Sequence, residues 1–314
     1  MLRHLAGRIG QSAVVLLIMS FVVYGLIGLM PGDPIDLMIS SNPKLTPADA
    51  ERLRRVYGLD QPLLGRWWAW LGAALSGDFG HSRLYARPVL EVMAAPLVNT
   101  LLLMGTALTL SLAVALPLGV LAGTRPGSWF DRAANLLAFA GISMPVFWLG
   151  LMLIVLFAVR LGWLPASGVE AVGGGDRARH MVLPVLTLAL AGIGQHLRYM
   201  RAAMIETLRQ DWIRTARAKG LSWRRVVLRH ALRHALTPVA TVVALEAGAL
   251  FSGALITETV FAWPGMGKLI YDSVMGNDFN LALATLLLAT AVTLAANVAA
   301  DLAYAALDPR ITWR

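Results

Sequence analysis

The chain has 314 residues, of which 57% are hydrophobic and only 14% charged, and its mean hydropathy is +0.65. Soluble domains carry about 25% charged residues, so this composition indicates a membrane protein. The net charge of +9 is compatible with nucleic-acid binding, but the basic residues flank apolar runs, and no nucleic-acid partner is expected. The absence of cysteine excludes disulfides, thiol catalysis and cysteine metal sites.

Six long apolar runs predict six transmembrane helices. A span needs about 20 apolar residues, and about 17 are tolerated. The runs are Ile9–Pro31, Val92–Thr124, Ala133–Val159, Met181–Gln195, Ala235–Thr257 and Phe279–Ala300. The fourth run is short, but it continues through His196 and Leu197 to a basic end near residue 200.

Lysine and arginine favour one side of these spans. The segments on the side of the two termini hold sixteen basic residues, whereas two short loops on the opposite side hold four. Because short cytoplasmic loops are enriched in basic residues, both termini are predicted to be cytoplasmic. The chain is therefore divided into an N-terminal transmembrane helix (1–31), an extracytoplasmic insertion (32–95) and a five-helix core (96–314) with a cytoplasmic loop (201–236).

The insertion is predicted to be helical. Thr46 and Pro47 form a helix start, since threonine is a good N-cap and proline is favoured at the first helical position. A second helix is predicted between Gly58 and Gly80, and it contains three tryptophans, Trp67, Trp68 and Trp70. Tryptophan concentrates at membrane interfaces, so an interfacial position is preferred over a ligand cage.

Three polar residues within the spans are candidates to line a polar pathway. Ser143 precedes Pro145, which is expected to kink helix 3 (about 132–159) by removing a backbone hydrogen bond. Gln195 lies in helix 4 (about 181–200). Glu246 in helix 5 (about 237–257) is a carboxylate flanked by apolar residues, which is costly and therefore a functional candidate. A purely structural hydrogen bond from Glu246 to a neighbouring helix is an equal alternative.

The most basic stretch runs from Arg198 to Pro238 and holds ten basic residues against two acidic ones. Met204, Leu208, Trp212 and Ala216 recur every four residues, which predicts one helical face that ends at Gly220. Ser222 is a candidate cap for a second helix with Leu228, Leu232 and Leu236 on one face. Thr237 and Pro238 are then expected to begin helix 5. Such a helix pair is either a docking surface or a solvated basic face.

No constellation for catalysis or metal binding is predicted. His230 and His234 have the spacing of metal ligands, but no third ligand lies nearby in the sequence and five arginines surround them. Motifs such as Gly-x-Ser-x-Gly and His-Glu-x-x-His do not occur, so the chain is expected to be a non-enzyme.

The segment Arg214–Gly220 reads Arg-Thr-Ala-Arg-Ala-Lys-Gly, and with it the chain resembles the permeases of bacterial ABC importers, in the dipeptide, oligopeptide and nickel branch. Further segments carry the resemblance towards both ends: Pro31-Gly-Asp-Pro34, Gly58–Leu63, Asp78–Ser82, Trp163–Gly168, Glu258–Gly267 and Asp308-Pro-Arg310. Asn277 and Asn280 depart from the family, which often has arginine and proline there.

The resemblance implies the type I importer fold, with six helices in the bacterial inner membrane, as the first permease of a pair. It implies an ATPase-coupling loop formed by Arg214, Thr215, Ala216, Arg217, Ala218, Lys219, Gly220 and Leu221. It further implies a second permease, two ATPase subunits that bind ATP and Mg²⁺, and an extracytoplasmic solute-binding protein. This chain itself is expected to bind no cofactor.

Di- or oligopeptides are the leading cargo that the resemblance implies. Nickel chelates and glutathione-like solutes are alternatives within the same importer type. A different class, an ATP-independent secondary carrier, predicts several intramembrane charges and broken helices. It assigns no role to the loop Arg214–Gly220.

Overall fold

The structure is a computed structural model that describes residues 2–29, 61–168 and 176–307. The side chains of residues 2–5, 244–253 and 300–307 lie outside the description, although their backbone is helical. The predicted helix start at Thr46 and Pro47 also lies outside the described residues.

Helices account for the named elements of the described chain, and we number them in order. They are α1 (Leu2–Gly28), α2 (Leu63–Leu75), α3 (Val89–Thr124), α4 (Trp129–Ser143), α5 (Val146–Leu153), α6 (Arg177–Leu208), α7 (Asp211–Ala218), α8 (Trp223–Arg225), α9 (Leu232–Val260), α10 (Met266–Met275) and α11 (Phe279–Leu307). Two π-helical segments, Ile154–Arg160 and Val226–Ala231, continue α5 and α8.

Four described helices are long and apolar enough to cross a membrane. They comprise residues 6–28 of α1, all of α3, all of α6, and residues 279–299 of α11. The segments 129–143 and 146–160 form a fifth candidate as a bent pair. The remaining predicted run falls on α9, which has 29 residues.

The described residues form two compact units, one of residues 1–97 with 269–294 and one of residues 98–268 with 295–314. In the first unit, α1 packs through Val23 and Ile27 against Ala282, Leu283 and Leu287 of α11. The predicted tryptophan-rich helix is present as α2. Trp67 is buried and donates its indole N–H to Ser20 Oγ at 3.2 Å. This tryptophan therefore fastens α2 to α1, and the position of the tryptophans at a membrane interface stays a prediction.

In the second unit, α6 packs closely against both α3 and α4. Gly119 and Gly123 of α3 meet Met200 and Met204 of α6 so closely that an added Cβ would clash. Gly194 of α6 meets the carbonyl oxygen of Ala138 in the same way. Small residues allow such backbone approach, which drives helix association in lipid through van der Waals contact.

An ion pair fixes the register of α4 against α6 near the turn after α3. The Arg201 guanidinium binds both carboxylate oxygens of Asp131, with one N–H···O distance of 2.8 Å. Asp131 also accepts hydrogen bonds from the Gly127 amide and the Asn135 side chain, each at 2.8 Å. The carboxylate is only 2% exposed, so its partners satisfy it where water does not reach.

Helix 3 departs most from its prediction. In place of one kinked helix over 132–159, α4 ends at Ser143 and the chain turns by 99° before continuing at Val146. Met144 and Pro145 have extended backbones with ψ of 127° and 133°. Because the residue before a proline avoids the helical region, Met144 ends the helix completely.

The boundaries of helices 2, 4 and 5 also differ. Helix 2, expected at about 96–122, runs from Val89 to Thr124. Helix 4 extends to Leu208, eight residues beyond the predicted end near residue 200. The expected start at Thr237 and Pro238 is wrong, because Pro238 lies inside α9, which follows the π-helical segment without a break.

The close contact of α6 with α4 predicts the effect of one added methyl group. Gly194→Ala places a Cβ 2.5 Å from the Ala138 carbonyl oxygen, and this overpacking is expected to cost roughly 1–3 kcal/mol. The measurement is thermal unfolding of the purified protein in detergent. Gly105→Ala is the control, since nothing lies within 4 Å of that position on α3. Equal melting temperatures for the two variants would contradict the close packing.

Candidate coupling site and translocation residues

The predicted coupling loop is built on α7, which is anchored by two buried side chains. Ile213 is 1% exposed and Ala216 is 8% exposed. Both belong to a hydrophobic core whose other members come from α6, the second π-helical segment and α9: Met200, Ala203, Met204, Val226, Val227, Ala231, Ala235 and Val239. This short helix is therefore attached to the ends of two long helices.

The remaining predicted loop residues form the outer surface of this site. Arg214, Thr215, Arg217, Ala218, Lys219 and Gly220 are exposed, and Leu221 packs partly against the core. Arg214 pairs with Asp211 at 3.0 Å within α7, and the Arg217 guanidinium lies 5.3 Å from the ring centre of Trp223. The exposed surface is thus basic and partly aromatic, and it is held on an apolar base.

The predicted stripe of Met204, Leu208, Trp212 and Ala216 is not one helical face. The chain leaves α6 at Leu208 and begins α7 at Asp211, so the phase changes between them. Trp212 is consequently 39% exposed, and Ile213 takes the buried position. Trp212 contacts His234 instead, with ring centres 4.6 Å apart and the ring planes tilted by 51°.

The second predicted stripe also shifts. Leu228 is 50% exposed, whereas Val227 and Ala231 are buried. The π-helical segment Val226–Ala231 adds residues to one turn, which rotates the following side chains relative to an α-helix. Ser222 occupies the N-cap position of α8, but its side chain makes no capping hydrogen bond.

Gly220 ends α7 as predicted. Its φ of +79° lies in the left-handed region that favours glycine, and its amide donates to the Arg217 carbonyl oxygen at 2.9 Å. No atom lies within 4 Å of an added Cβ, so the requirement for glycine here is conformational and not steric.

The predicted pathway residues lie on different helices. Ser143 is exposed at the last position of α4, directly before the break. Gln195 is exposed on α6, which packs beside α4. Glu246 lies within α9, and its side chain is outside the described residues.

A buried carboxylate that sequence analysis did not single out organises the loop after α9. Glu258 is fully buried and accepts a hydrogen bond from Thr100 Oγ1 at 2.5 Å and one from the Lys268 amide at 3.0 Å. Thr100 Oγ1 in turn accepts from the Met266 amide at 2.8 Å. Gly265 lies against the carboxylate so closely that any side chain there would displace it. The segment Glu258–Gly267, noted only for its resemblance, is therefore folded around its own first residue.

A second buried carboxylate shapes a turn in the first unit. Asp278 accepts hydrogen bonds from Ser82 Oγ at 2.5 Å and from the Leu84 amide at 3.0 Å. Asn277 adopts a φ of +53°, which asparagine tolerates better than most residues, and Asn280 donates to the His81 carbonyl oxygen at 3.1 Å. The two asparagines that depart from the family pattern thus have local structural roles.

The positive φ of Gly220 predicts that two substitutions at this position differ in their effect on the stability of the turn after α7. Gly220→Val is expected to destabilise the turn by about 1–2 kcal/mol, because a β-branched residue disfavours the left-handed region. Gly220→Asn is the matched control, since asparagine enters that region more readily. The readout is the rate of tryptic cleavage at Arg217 and Lys219 in the solubilised protein. Cleavage at the wild-type rate in Gly220→Val would argue against a conformational requirement.

Substitutions at Thr100 test how much the hydrogen bonds around Glu258 contribute to the stability of the protein. Thr100→Val keeps the shape of the side chain and removes the hydroxyl, leaving the buried carboxylate and the Met266 amide short of a partner. Such losses cost roughly 1–3 kcal/mol, so the melting temperature in detergent is expected to fall. Thr100→Ser retains the hydroxyl and is expected to unfold near the wild-type temperature. A Thr100→Val protein as stable as Thr100→Ser would rule out this role.

Comparisons with proteins of known structure show the fold. A chain of the MetNI methionine ABC transporter, from an inward-facing structure, aligns with a TM-score of 0.56 and 20% identity, covering 70% of this chain and 97% of the other. A chain of an amino acid ABC transporter aligns with a TM-score of 0.54 and 16% identity, covering 68% and 94%. The predicted all-α, type I importer permease fold is confirmed.

Sequence comparisons extend over the whole chain. The oligopeptide transport system permease protein AppB of Bacillus subtilis is 38% identical over 318 residues, with 100% of both chains covered. A putative peptide permease of Brucella suis is 38% identical over 316 residues, covering 99% of both. The glutathione transport system permease protein GsiC of Escherichia coli K12 is 37% identical over 314 residues, covering 100% of both.

Two family descriptions divide the chain between them. The N-terminal family of binding-protein-dependent transport system membrane components matches residues 1–113. The family described as binding-protein-dependent transport system inner membrane component matches residues 115–313. The chain therefore belongs to the inner membrane permeases of binding-protein-dependent ABC importers.

Proposed function

We propose that this permease imports peptides and takes its energy from ATPase subunits that dock on α7. The cargo is proposed because the relatives named for oligopeptide and glutathione transport match the chain along its entire length. Glutathione is itself a small peptide, so both names point to the same chemical class. Nickel chelates are a weaker alternative, because none of these relatives is named for nickel.

The structural observation that carries the coupling role is the anchoring of α7. Ile213 and Ala216 join it to the core that also contains Met204 of α6 and Ala235 of α9. A force applied to the exposed face of α7 therefore reaches two long helices through packed side chains. Closure of an ATPase pair beneath this face would push these helices and shift the bundle between inward-open and outward-open states.

The proposed complex contains this chain, a second permease, two ATPases that bind ATP and Mg²⁺, and a solute-binding protein on the outer side. Both termini and α7 are placed in the cytoplasm, since the basic residues concentrate there and short cytoplasmic loops are enriched in them. The permease has no nucleotide-binding or catalytic role in this scheme.

The experiment is reconstitution of the whole complex in liposomes. The expected result is ATP-dependent accumulation of a labelled di- or oligopeptide in the presence of the binding protein. Uptake of glutathione alone would narrow the cargo to that peptide, and uptake of a nickel chelate alone would replace the proposed cargo. Purification without any bound ATPase, together with ATP-independent uptake, would favour the secondary carrier.

Arg214→Glu tests the docking role of α7. The side chain is 76% exposed, so the substitution is expected to leave folding intact while reversing a charge on the docking face. ATP-dependent uptake should fall by roughly tenfold or more, the change that a loss of about 1.4 kcal/mol in docking would produce.

Arg132→Glu is the control, because it reverses an exposed charge at the start of α4, outside the loop. The comparison is made at equal amounts of permease in the membrane. Normal transport-linked ATP hydrolysis by Arg214→Glu would remove α7 from the docking surface.

A further inference from the structure

Arg198 lies well inside α6, whereas the sequence predicted it at the very end of helix 4. The helix continues for ten residues beyond it, to Leu208. We use depth for the distance along α4 and α6 from the end that is proposed to be cytoplasmic. Three contacts between these antiparallel helices mark it: Asp131 with Arg201, Ala138 with Gly194, and Gly141 with Leu190. Depth therefore increases from Asp131 towards Gly141 on α4, and from Arg201 towards Leu190 on α6.

The Arg198 side chain reaches inward along this gradient. Its guanidinium carbon lies 4.4 Å from the ring centre of Phe139. Phe139 is eight residues beyond Asp131, which corresponds to about 12 Å of helix rise. Side chains on a helix lean towards its N-terminus, so Arg198 leans away from the cytoplasmic end while the Phe139 ring leans back from its own Cα towards Asp131, and the two meet between these levels. The charge is therefore held deeper in the bundle than the Asp131–Arg201 ion pair.

The guanidinium of Arg198 lies at the surface of the chain beside an aromatic ring. Arg198 is exposed on the surface of the chain, and it forms no ion pair with the carboxylates whose side chains the structure describes, a set that does not include Glu246. The guanidinium carbon lies over the Phe139 ring, and the N–H donors of a guanidinium lie around the edge of its plane. A planar fork of donors matches a carboxylate with two parallel hydrogen bonds.

Polar neighbours continue this surface on both helices. Gln195 is exposed one turn from Arg198 on α6, and Ser143 is exposed one turn beyond Phe139 on α4. Charged residues within spans almost always face a water-filled cavity or the interior of a bundle, because lipid does not solvate them. The pair Arg198–Phe139 thus lies between Gln195 and Ser143, the two polar residues on these helices that sequence analysis had predicted separately to line a pathway.

We propose that Arg198 lines the translocation pathway and binds the carboxylate of the cargo, with Phe139 holding the guanidinium in place. This inference rests on the proposed function, since peptides supply the carboxylate. It also gives the cargo an orientation, because the positive charge repels a peptide's amino terminus while it binds the carboxyl end.

The natural absence of cysteine provides a direct test of position. In the complete complex in membrane vesicles, Arg198→Cys is treated with a membrane-impermeant, anionic methanethiosulfonate reagent, and labelling of this chain is measured. We expect rapid labelling of Arg198→Cys. Leu137→Cys on α4 is the control, since Leu137 is 72% exposed on the chain and apolar, and it is expected to label slowly. Labelling of Arg198→Cys no faster than Leu137→Cys would overturn the pathway assignment.

Charge rescue tests the carboxylate. Arg198→Cys is expected to raise the KM for a neutral tripeptide by roughly tenfold, the change that loss of about 1.4 kcal/mol of binding produces. An aminoethyl methanethiosulfonate reagent then restores a positive charge at position 198 and should lower the KM again, whereas the sulfonatoethyl analogue should not. Arg132→Gln, which removes an exposed charge nearer the cytoplasmic end, should transport normally.

The outcomes separate this inference from the proposed function. If the wild-type complex imports no peptide, the proposed cargo fails, while the labelling experiment still reports on position. If the wild-type complex imports the tripeptide and neither reagent changes the KM of Arg198→Cys, the carboxylate role is wrong. Equal rescue by both reagents would indicate that bulk and not charge matters, and would also overturn it.

Discussion

The close approach of α6 to α3 and α4 is the constraint on which the second unit depends. Lipid offers no hydrophobic driving force for association of apolar helices, so their contact must come from packing. Glycines at positions 119, 123 and 194 remove the side chains that would keep the backbones apart. Helix α6 is consequently held along much of its length, from the level of Leu190 to that of Met204, and it acts as the central support of this unit.

Helix α6 takes part in two regions with different chemistry, the apolar core around α7 and a polar exposed face. Near its C-terminal end α6 contributes Met200, Ala203 and Met204 to the core that holds α7. The Asp131–Arg201 ion pair fixes α4 at that level. Further along, α6 carries Gln195 and Arg198 on an exposed face. The helix that carries these polar residues therefore also packs directly against α7, within one packed unit.

Sequence reasoning succeeded where a signal was local. It failed where the prediction required one uninterrupted helical repeat to decide which side chains share a face. The apolar runs located the long helices, and Gly220 was identified as a helix end because glycine tolerates its φ of +79°. The stripe through Trp212 failed, because two residues outside any helix separate α6 from α7. The stripe through Leu228 failed, because a π-helical turn rotated it outward. Glu258 was missed as an organising residue. One of its hydrogen-bond partners, Thr100, is distant in the sequence, and the other is the backbone amide of Lys268, which the sequence does not reveal. Its closeness to Gly265 and Gly267 in the sequence was the available signal.

The 99° break between α4 and α5 has a consequence for how the protein can exist in a membrane. A helix leaves its last four carbonyl groups without intrahelical partners, and the segment that follows here contains Pro145, which has no amide proton to donate. Unsatisfied backbone groups are not tolerated against hydrocarbon. The polar backbone around Ser143 must therefore be covered by protein or by water from the moment of insertion.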